Sequence, residues 1–520
     1  MRFVMNRTPV RPITWRPWAL LLAGLTWLAP LSASAQDAAP AQGQRLDQDR
    51  AVQMAMVANP TLQSAILELK RANESVRFED GRYPYILQLD AGVTRTATPG
   101  LSNGGVSVSK SDSVDVGAEV SRTFPTGTRA SLRVEGSRDM RREPVESGPG
   151  YGTSARASIT QPLMRGAGVE VGEEQLRVAR INRTASELSR DRVASEVARD
   201  VLLAYWELWY AERAAQIELG ARDLAKRQRD EAQQRVDDGA LAPVEVLPFE
   251  TRVASLEESV VSADTQIRTR SLVLSQRIGS SQAFGPNLLA GGDAEPNATS
   301  MPLRTAAIEN ALTNSPEIRE LSAQLRLAQE QVKVSGDSYR PRLDLEGYVQ
   351  VAGLGNREVP PAFEQMGRAN ATSLHVGVVY ELPLDDARKV TERSRDLLAV
   401  RVAEQRLLSA RQRIQSDIET LFEQERAARI RLQLAEKTSE IAEKQVAAQN
   451  ERFDIGVAIA VEVQQAQDEL RQAQLRTVRA RVDVVESEIE RDHATGRLLE
   501  RIADQLRRDP ARDSAVAAAQ

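Results

Sequence analysis

Between Tyr85 and Thr160 the chain alternates apolar and polar residues with a period of two. Tyr85, Leu87, Leu89, Ala91 and Val93 fall on one side, and Gln88, Asp90 and Thr94 on the other. The same alternation returns in Val114, Val116, Ala118 and Val120, in Ala130, Leu132 and Val134, and in Ala155, Ala157 and Ile159. Such segments predict strands with one apolar and one polar face. From Gly166 the period becomes helical, and no proline occurs between Pro162 and Pro243. A helix over 172–235 would extend roughly 95 Å at the usual rise, longer than a globular domain needs. The segment from Gly239 to Pro243 interrupts it, and a helical pattern resumes over 244–277.

The pattern then starts again. A helix is expected over 303–335, as over 46–80 in the first half, and strands over 342–352 and 372–382. Long helices follow over 388–453, where Leu407, Ile414, Ile418 and Leu421 mark an apolar stripe, and over 461–495. Asn59-Pro60 is answered by Ser315-Pro316, and Tyr83-Pro84 by Arg340-Pro341. The sharpest internal match lies at a constant offset of 217. There Arg235, Asp237, Gly239, Val244, Glu245 and Val246 recur as Arg452, Asp454, Gly456, Val461, Glu462 and Val463. Both sites read as hairpin turns, with Gly in a permissive backbone position and Glu in the first turn of the returning helix. The organisation is therefore a first repeat over 36–278, a Gly-, Pro- and Asn-bearing linker over 279–302, a second repeat over 303–496 and a charged tail over 497–520.

Ahead of these repeats, Arg2, Arg7, Arg11 and Arg16 precede an apolar run from Trp18 to Leu31, followed by Ala33-Ser34-Ala35. This is the pattern of a cleaved export signal over 1–35, since the run is shorter than the ~20 residues of a membrane-crossing helix. Its removal lowers the formal charge from -5 to -9, a balance unlike that of proteins that coat nucleic acid. No later stretch reads as an apolar helix of membrane length, so re-entry into a membrane would have to use strands.

Two-faced strands suit a barrel whose outside meets lipid and whose inside meets water. A soluble β-sandwich is the competing arrangement, but so few strands cannot build a domain thick enough to carry helices of this length. Neither can they close a wide barrel alone, so their unpaired edges call for further copies. Aromatics make up only 4% of the residues, which suits helix-on-helix packing by small and aliphatic side chains. A free-standing coiled-coil bundle is the alternative for the helical part.

Taken together, the export signal, the two helix-strand-strand-helix repeats, Asn59-Pro60, the Gln161-Pro162-Leu163-Met164-Arg165-Gly166 segment and the paired Gly turns resemble the TolC-like outer membrane efflux protein family over roughly 46–495. The resemblance implies a mixed α and membrane β fold: a trimeric outer membrane β-barrel continued by a long periplasmic α-helical barrel. It implies an exit duct of a tripartite efflux or type I secretion system. The implied partners are two further copies of the chain, a periplasmic adaptor, an inner-membrane pump of RND, ABC or MFS type, and the outer membrane lipid. It also implies a periplasmic aperture, for which Glu462, Gln465, Asp454 and Glu245 are candidates, and adaptor contacts near Asp237, Asp238, Gly239, Gly456 and Val457. Ala458 stands where the family's gating arginine is found, and Gln465 where a second acidic ring is found, so this chain departs from that gate. The family has two strands per repeat, and that number is retained for the first repeat despite its four alternating segments.

Candidate enzyme chemistry is sparse. Cys is absent, which excludes disulfides and thiolate sites. Gly166-Ala-Gly168 lacks the Lys-Ser/Thr ending of a phosphate loop. His375 and His493 are assigned no ligand or base role, and no cofactor or metal is implied. The aromatic cluster Tyr205-Trp206-Glu207-Leu208-Trp209-Tyr210 fits packing within a long helix better than a substrate platform. A non-channel periplasmic coiled-coil or adaptor-type protein is the second reading. Adaptors, however, present one helical hairpin, and this chain repeats its own.

Overall fold

The computed structural model describes residues 44–102, 105–143, 149–279, 288–291, 301–384, 387–455 and 457–501. The expected export signal, most of the expected linker and the end of the tail lie outside them. In chain order the elements begin with β1 (Gln44–Leu46), α1 (Gln48–Ala58) and α2 (Pro60–Asp80). The strands β2 (Ile86–Ser102), β3 (Gly105–Thr123), β4 (Arg129–Glu143) and β5 (Gly150–Pro162) come next. The short α3 (Val169–Gly172) leads into α4 (Glu174–Asp237), and α5 (Leu247–Ile278) and β6 (Leu288–Ala290) complete the first half. The second half has α6 (Arg304–Asn314), α7 (Pro316–Ser338), β7 (Arg342–Asn356), α8 (Pro360–Gly367), β8 (Ala371–Glu381), α9 (Ala387–Asp454) and α10 (Ala460–Ala494).

The helix expected over 46–80 is broken at Asn59. Pro60 has no N–H to continue α1, and it starts α2 with its fixed φ. The Asn59 side-chain oxygen accepts from Thr61 N at 2.9 Å and Leu62 N at 3.1 Å, and its Nδ2 donates to Arg277 O at 2.7 Å. One residue thus caps α2 and ties it to the end of α5. Ser315-Pro316 repeats the break between α6 and α7 without a side-chain cap.

Six strands form one antiparallel sheet in the order β2-β3-β4-β5-β7-β8. Here the retained family number is corrected, because the first repeat contributes four strands. The β3–β4 turn comes back to the end where the helices begin. Gly168 N donates to Thr126 O at 3.1 Å, and Tyr83 Oη donates to Gly172 O at 2.6 Å. At φ +83°, Gly127 lies so near this loop that a Cβ there would meet Gly166 O at 2.2 Å. The extra hairpin is therefore a full member of the sheet.

Register gives the sheet two chemically distinct faces. One row runs Leu87, Val120, Leu132, Ala157, Val349 and Leu374 across all six strands, apolar throughout. The row beside it runs Gln88, Glu119, Arg133, Arg156, Gln350 and Ser373, polar throughout. Leu87 is 64% exposed and Leu374 73% exposed, so this row is uncovered among the described residues. Helix α8 packs only on the far end of the same face, where Thr153 Oγ1 donates to Ala362 O at 3.0 Å and Gly353 lies against Ala362. Strands β2 and β8 are the open edges. No helix among the described residues is long and apolar enough to cross a membrane.

The helical half packs as two long pairs, α4 with α5 and α9 with α10. Its contacts are dominated by alanines, among them Ala194, Ala198, Ala211, Ala466, Ala473 and Ala480, which allow close approach of helices. A larger core surrounds the middle of α4. Tyr205, Trp206 and Trp209 are buried there, Trp206 standing edge-on to Tyr205 and Trp209 with centroids 5.5 and 5.7 Å away. The parallel pair β1–β6 lies against this core, with Tyr205 Oη donating to Gly291 O and Glu212 accepting from Ala290 N. The cluster therefore packs. A second core joins Leu407, Ile414, Ile418 and Phe422 of α9 to Ala307, Ala311 and Ile318.

Candidate functional site: the hairpin tips and the latches behind them

The two turns have the same hydrogen bonds. In the first, Ala240 N and Leu241 N both donate to Arg235 O, at 2.8 and 3.1 Å, with Gly239 at φ +74°. In the second, Val457 N and Ala458 N both donate to Arg452 O, again at 2.8 and 3.1 Å. Glu245 N and Glu462 N then close the next turn onto Ala242 O and Ile459 O. The sequence match at offset 217 is thus a match of backbone geometry.

Asp237, Asp238, Gly239, Glu245, Val457, Glu462 and Gln465 are all exposed at these ends. Asp237 accepts from Gln233 Nε2 at 3.0 Å, and Glu245 lies on the cleft between the two tips. Glu462 and Gln465 stand near the start of α10, outside that cleft. Gly456 and the Asp454 side chain lie outside the described residues. The Arg235 guanidinium sits 6.0 Å from the Phe453 ring centroid, a contact between the tips.

Further from the tips, ionic links join the pairs, and sequence reasoning missed them. Arg252 of α5 grips both carboxylate oxygens of Asp468 on α10 in a bidentate pair. Arg471 follows on α10, its Nε 3.5 Å from Asp468 Oδ1 and its Nη1 donating to Glu218 of α4 at 2.6 Å. A chain of charge therefore runs from α5 through α10 to α4. It is incompletely satisfied, since Glu218 Oε2 and Arg471 Nε are buried without a hydrogen-bond partner. Apart from the i,i+3 pair of Asp468 and Arg471, no spacing in the sequence marks these links, because Arg252–Asp468 and Glu218–Arg471 join residues more than two hundred positions apart.

Higher on α10, Arg479 reaches Glu207 at 2.6 Å, Asp483 at 2.7 Å and Glu486 at 3.0 Å, with Arg270 3.4 Å from Glu207. Burial pushes the Glu486 carboxyl up to about 7; Arg479 opposes the rise, and the neighbouring Glu207 adds to it. Above this, Glu425 is fully buried and accepts from Arg491 Nη1 at 2.6 and 2.8 Å and from Arg429 at 2.8 Å.

His493 hydrogen-bonds through Nδ1 with Ser195 Oγ at 2.9 Å. Burial, reinforced by Arg199, lowers its pKa from 6.5 to about 4. The folded state therefore keeps the ring neutral where the unfolded chain takes up a proton. This contribution to stability is complete above pH 6.5 and is lost as the pH falls towards 4, a loss of ~3 kcal/mol. Glu486 acts in the opposite sense, its cost fading as the pH falls from about 7. A His493→Asn variant should lose stability less steeply than the parent between pH 6.5 and 4. Thermal melting at half-unit pH steps measures the difference, and superimposable profiles would exclude His493 as the cause.

On the polar face of the sheet, Arg133 makes a bidentate pair with Asp90 at 2.9 Å and reaches Glu135 at 3.1 Å. Arg156 lies 4.5 Å from the Tyr348 centroid, and Tyr348 stacks on the exposed His375. A face this polar belongs against water, as the other belongs against lipid.

A sheet with one apolar face and open edges, joined at one end to two long helical pairs from an internal repeat, is the fold found in protomers of solved outer membrane channels. Residues 307–497 match the family model described as outer membrane efflux protein, so the second repeat carries that domain. Three solved structures share the fold. The outer membrane protein VceC of Vibrio cholerae is 15% identical, with 86% of this chain and 96% of that one covered and a TM-score of 0.61. The Campylobacter jejuni CmeC outer membrane channel is 14% identical, covering 88% and 89%, at 0.59. The open state of the Neisseria gonorrhoeae MtrE outer membrane channel is 15% identical, covering 86% and 88%, at 0.60. Comparison with curated proteins finds no match. In fold this chain is thus similar to the protomers of outer membrane efflux channels, and an adaptor's single hairpin does not describe it.

Proposed function

We propose that three copies of this chain join, edge β8 to edge β2, into an outer membrane barrel continued by a periplasmic tunnel, and that the assembly passively conducts solutes out of the cell. The observation that carries this is the six-strand apolar row together with the two unpaired edges. Such a face is stable against lipid, and such edges are satisfied by another copy. Three six-stranded sheets give an eighteen-stranded wall, wide enough for a water-filled lumen. Energy would come from an inner-membrane pump of RND, ABC or MFS type through a periplasmic adaptor, which would meet the turns at Asp237, Asp238, Gly239, Gly456 and Val457.

The purified protein is expected to need detergent, to migrate as a heat-labile trimer and to pass current in planar bilayers. A water-soluble monomer without conductance would overturn the reading. In the assembled duct Glu462 and Glu245, with Asp454, would supply negative charge at the narrow end, and Gln465 an uncharged polar rim. Negative potential in a constriction concentrates cations. Glu462→Gln is therefore expected to weaken block by multivalent cations several-fold. Unchanged block across di- and trivalent cations would remove Glu462 from the aperture.

A further inference from the structure

A cleft of about 680 Å³ lies between the tips of the two helical hairpins. All four long helices contribute to it: Ala232 from α4, Phe249 from α5, Phe453 from α9 and Val463 from α10, with Leu241 and Ala458 from the turns. Ala232, Ala458 and Val463 are buried in the chain itself, so the floor is apolar and preformed. The two phenylalanines add ring surface. This is the construction of a small-molecule site rather than of a solvated helix end.

Polar groups give the cleft a sign. Glu231 and Glu245 line it as exposed carboxylates, against the single guanidinium of Arg235, which lies over the Phe453 ring. The balance among these three groups is one net negative charge, and the faces of Phe249 and Phe453 also favour a cation. Gln464 lines the cleft as well, and its Nε2 is buried with no hydrogen-bond partner. An unpaired buried N–H is a standing cost that an acceptor on a bound molecule would remove.

We propose that this cleft binds amphipathic organic cations. The apolar body packs between Phe249 and Phe453, the positive charge faces Glu231 and Glu245, and any acceptor group meets Gln464. A molecule seated there touches both hairpins at once. The assignment does not depend on conduction, because it concerns a pocket within one protomer.

Tetraphenylphosphonium and tetraphenylborate test it, being alike in shape and opposite in charge. Equilibrium dialysis of the purified full-length protein against each ion, with detergent matched on both sides, should give saturable binding of the cation. The cation is expected to bind about tenfold tighter than the anion. E231Q/E245Q, which leaves the packing intact, should bring that preference down to about threefold or less. Phe249→Ala should weaken cation binding about fivefold or more. Equal affinity for the two ions, or an unchanged preference in E231Q/E245Q, would overturn the proposal. A protein that shows the charge preference yet passes no current would keep the cleft and lose the duct, so the two readings fail separately.

Discussion

In the proposed conducting assembly, replacing Arg252 by Ala is expected to raise the open fraction about tenfold, because the bidentate pair with Asp468 ties α5 directly to α10 near the tips. A partly desolvated, charge-assisted pair contributes ~1.5–3 kcal/mol, and 1.4 kcal/mol is a factor of ten in a two-state ratio. Its Arg252 side chain is 17% exposed and Asp468 31%, well short of the exposure at which such pairs become worthless. Asp468→Asn should open the channel by a similar factor, and the double variant by little more than either, since both remove one interaction. Arg252→Lys, which keeps the charge without the fork, should fall between. Single-channel recording gives the open fraction. Parent-like gating in both single variants would show that this link does not hold the tips shut. In that proposed assembly the Arg252–Asp468 link would act as a closure device.

The largest loss of stability is expected from Glu425→Ala. Glu425 is fully buried, and its partner Arg491 is 2% exposed. Truncating the carboxylate leaves a guanidinium in a dry site with Asp492, 3.2 Å from its Nη2, as its remaining ionic partner among the described residues. Breaking such a pair costs ~3–5 kcal/mol, whereas exchanging both members for apolar residues of similar volume is often neutral or better. Equilibrium unfolding in denaturant should therefore show a large drop for Glu425→Ala and a much smaller one for Glu425→Leu combined with Arg491→Met. If the single variant were no less stable than the double, a stranded Arg491 charge would not be the source of the cost. Arg429, which donates to both Glu425 and Glu488, would keep its second carboxylate in either case.

The strands were legible because their physics is local. Leu87, Leu89 and Val93 alternate with Gln88 and Asp90 whatever the rest of the chain does, and a period of two has only one extended reading. The paired turns were legible for a similar reason. Gly239 adopts a positive φ, and the Arg235–Glu245 segment recurs in sequence over 452–462, with the hydrogen bonds of Ala240, Leu241 and Glu245 matched by those of Val457, Ala458 and Glu462. The strand number of the first repeat follows from its residues, whose four alternating segments are all visible, and not from the family's two per repeat. The Asn59-Pro60 pair marks the repeat in sequence, whereas its capping bonds to Thr61 and Leu62 and its tie to Arg277 depend on the fold.

The candidate site was legible only as a place. Sequence position put Glu245 and Glu462 at helix starts, and nothing in their neighbourhood pointed to Arg252, Asp468, Arg471 or Gln464. His493 and Ser195 lie 298 positions apart, and the Phe249–Phe453 cleft draws on four helices. No short-range pattern records such meetings.

By itself the sequence determined the periods: where the chain is extended and two-faced, where it is helical, and where it turns, since each depends on residues a few positions apart. Tertiary structure alone decided which charges meet, which are dry and which side chains share a cavity. Those outcomes depend on the register of one long helix against another, and a shift of a single turn, about 5.4 Å, would give every ionic link between them a different partner.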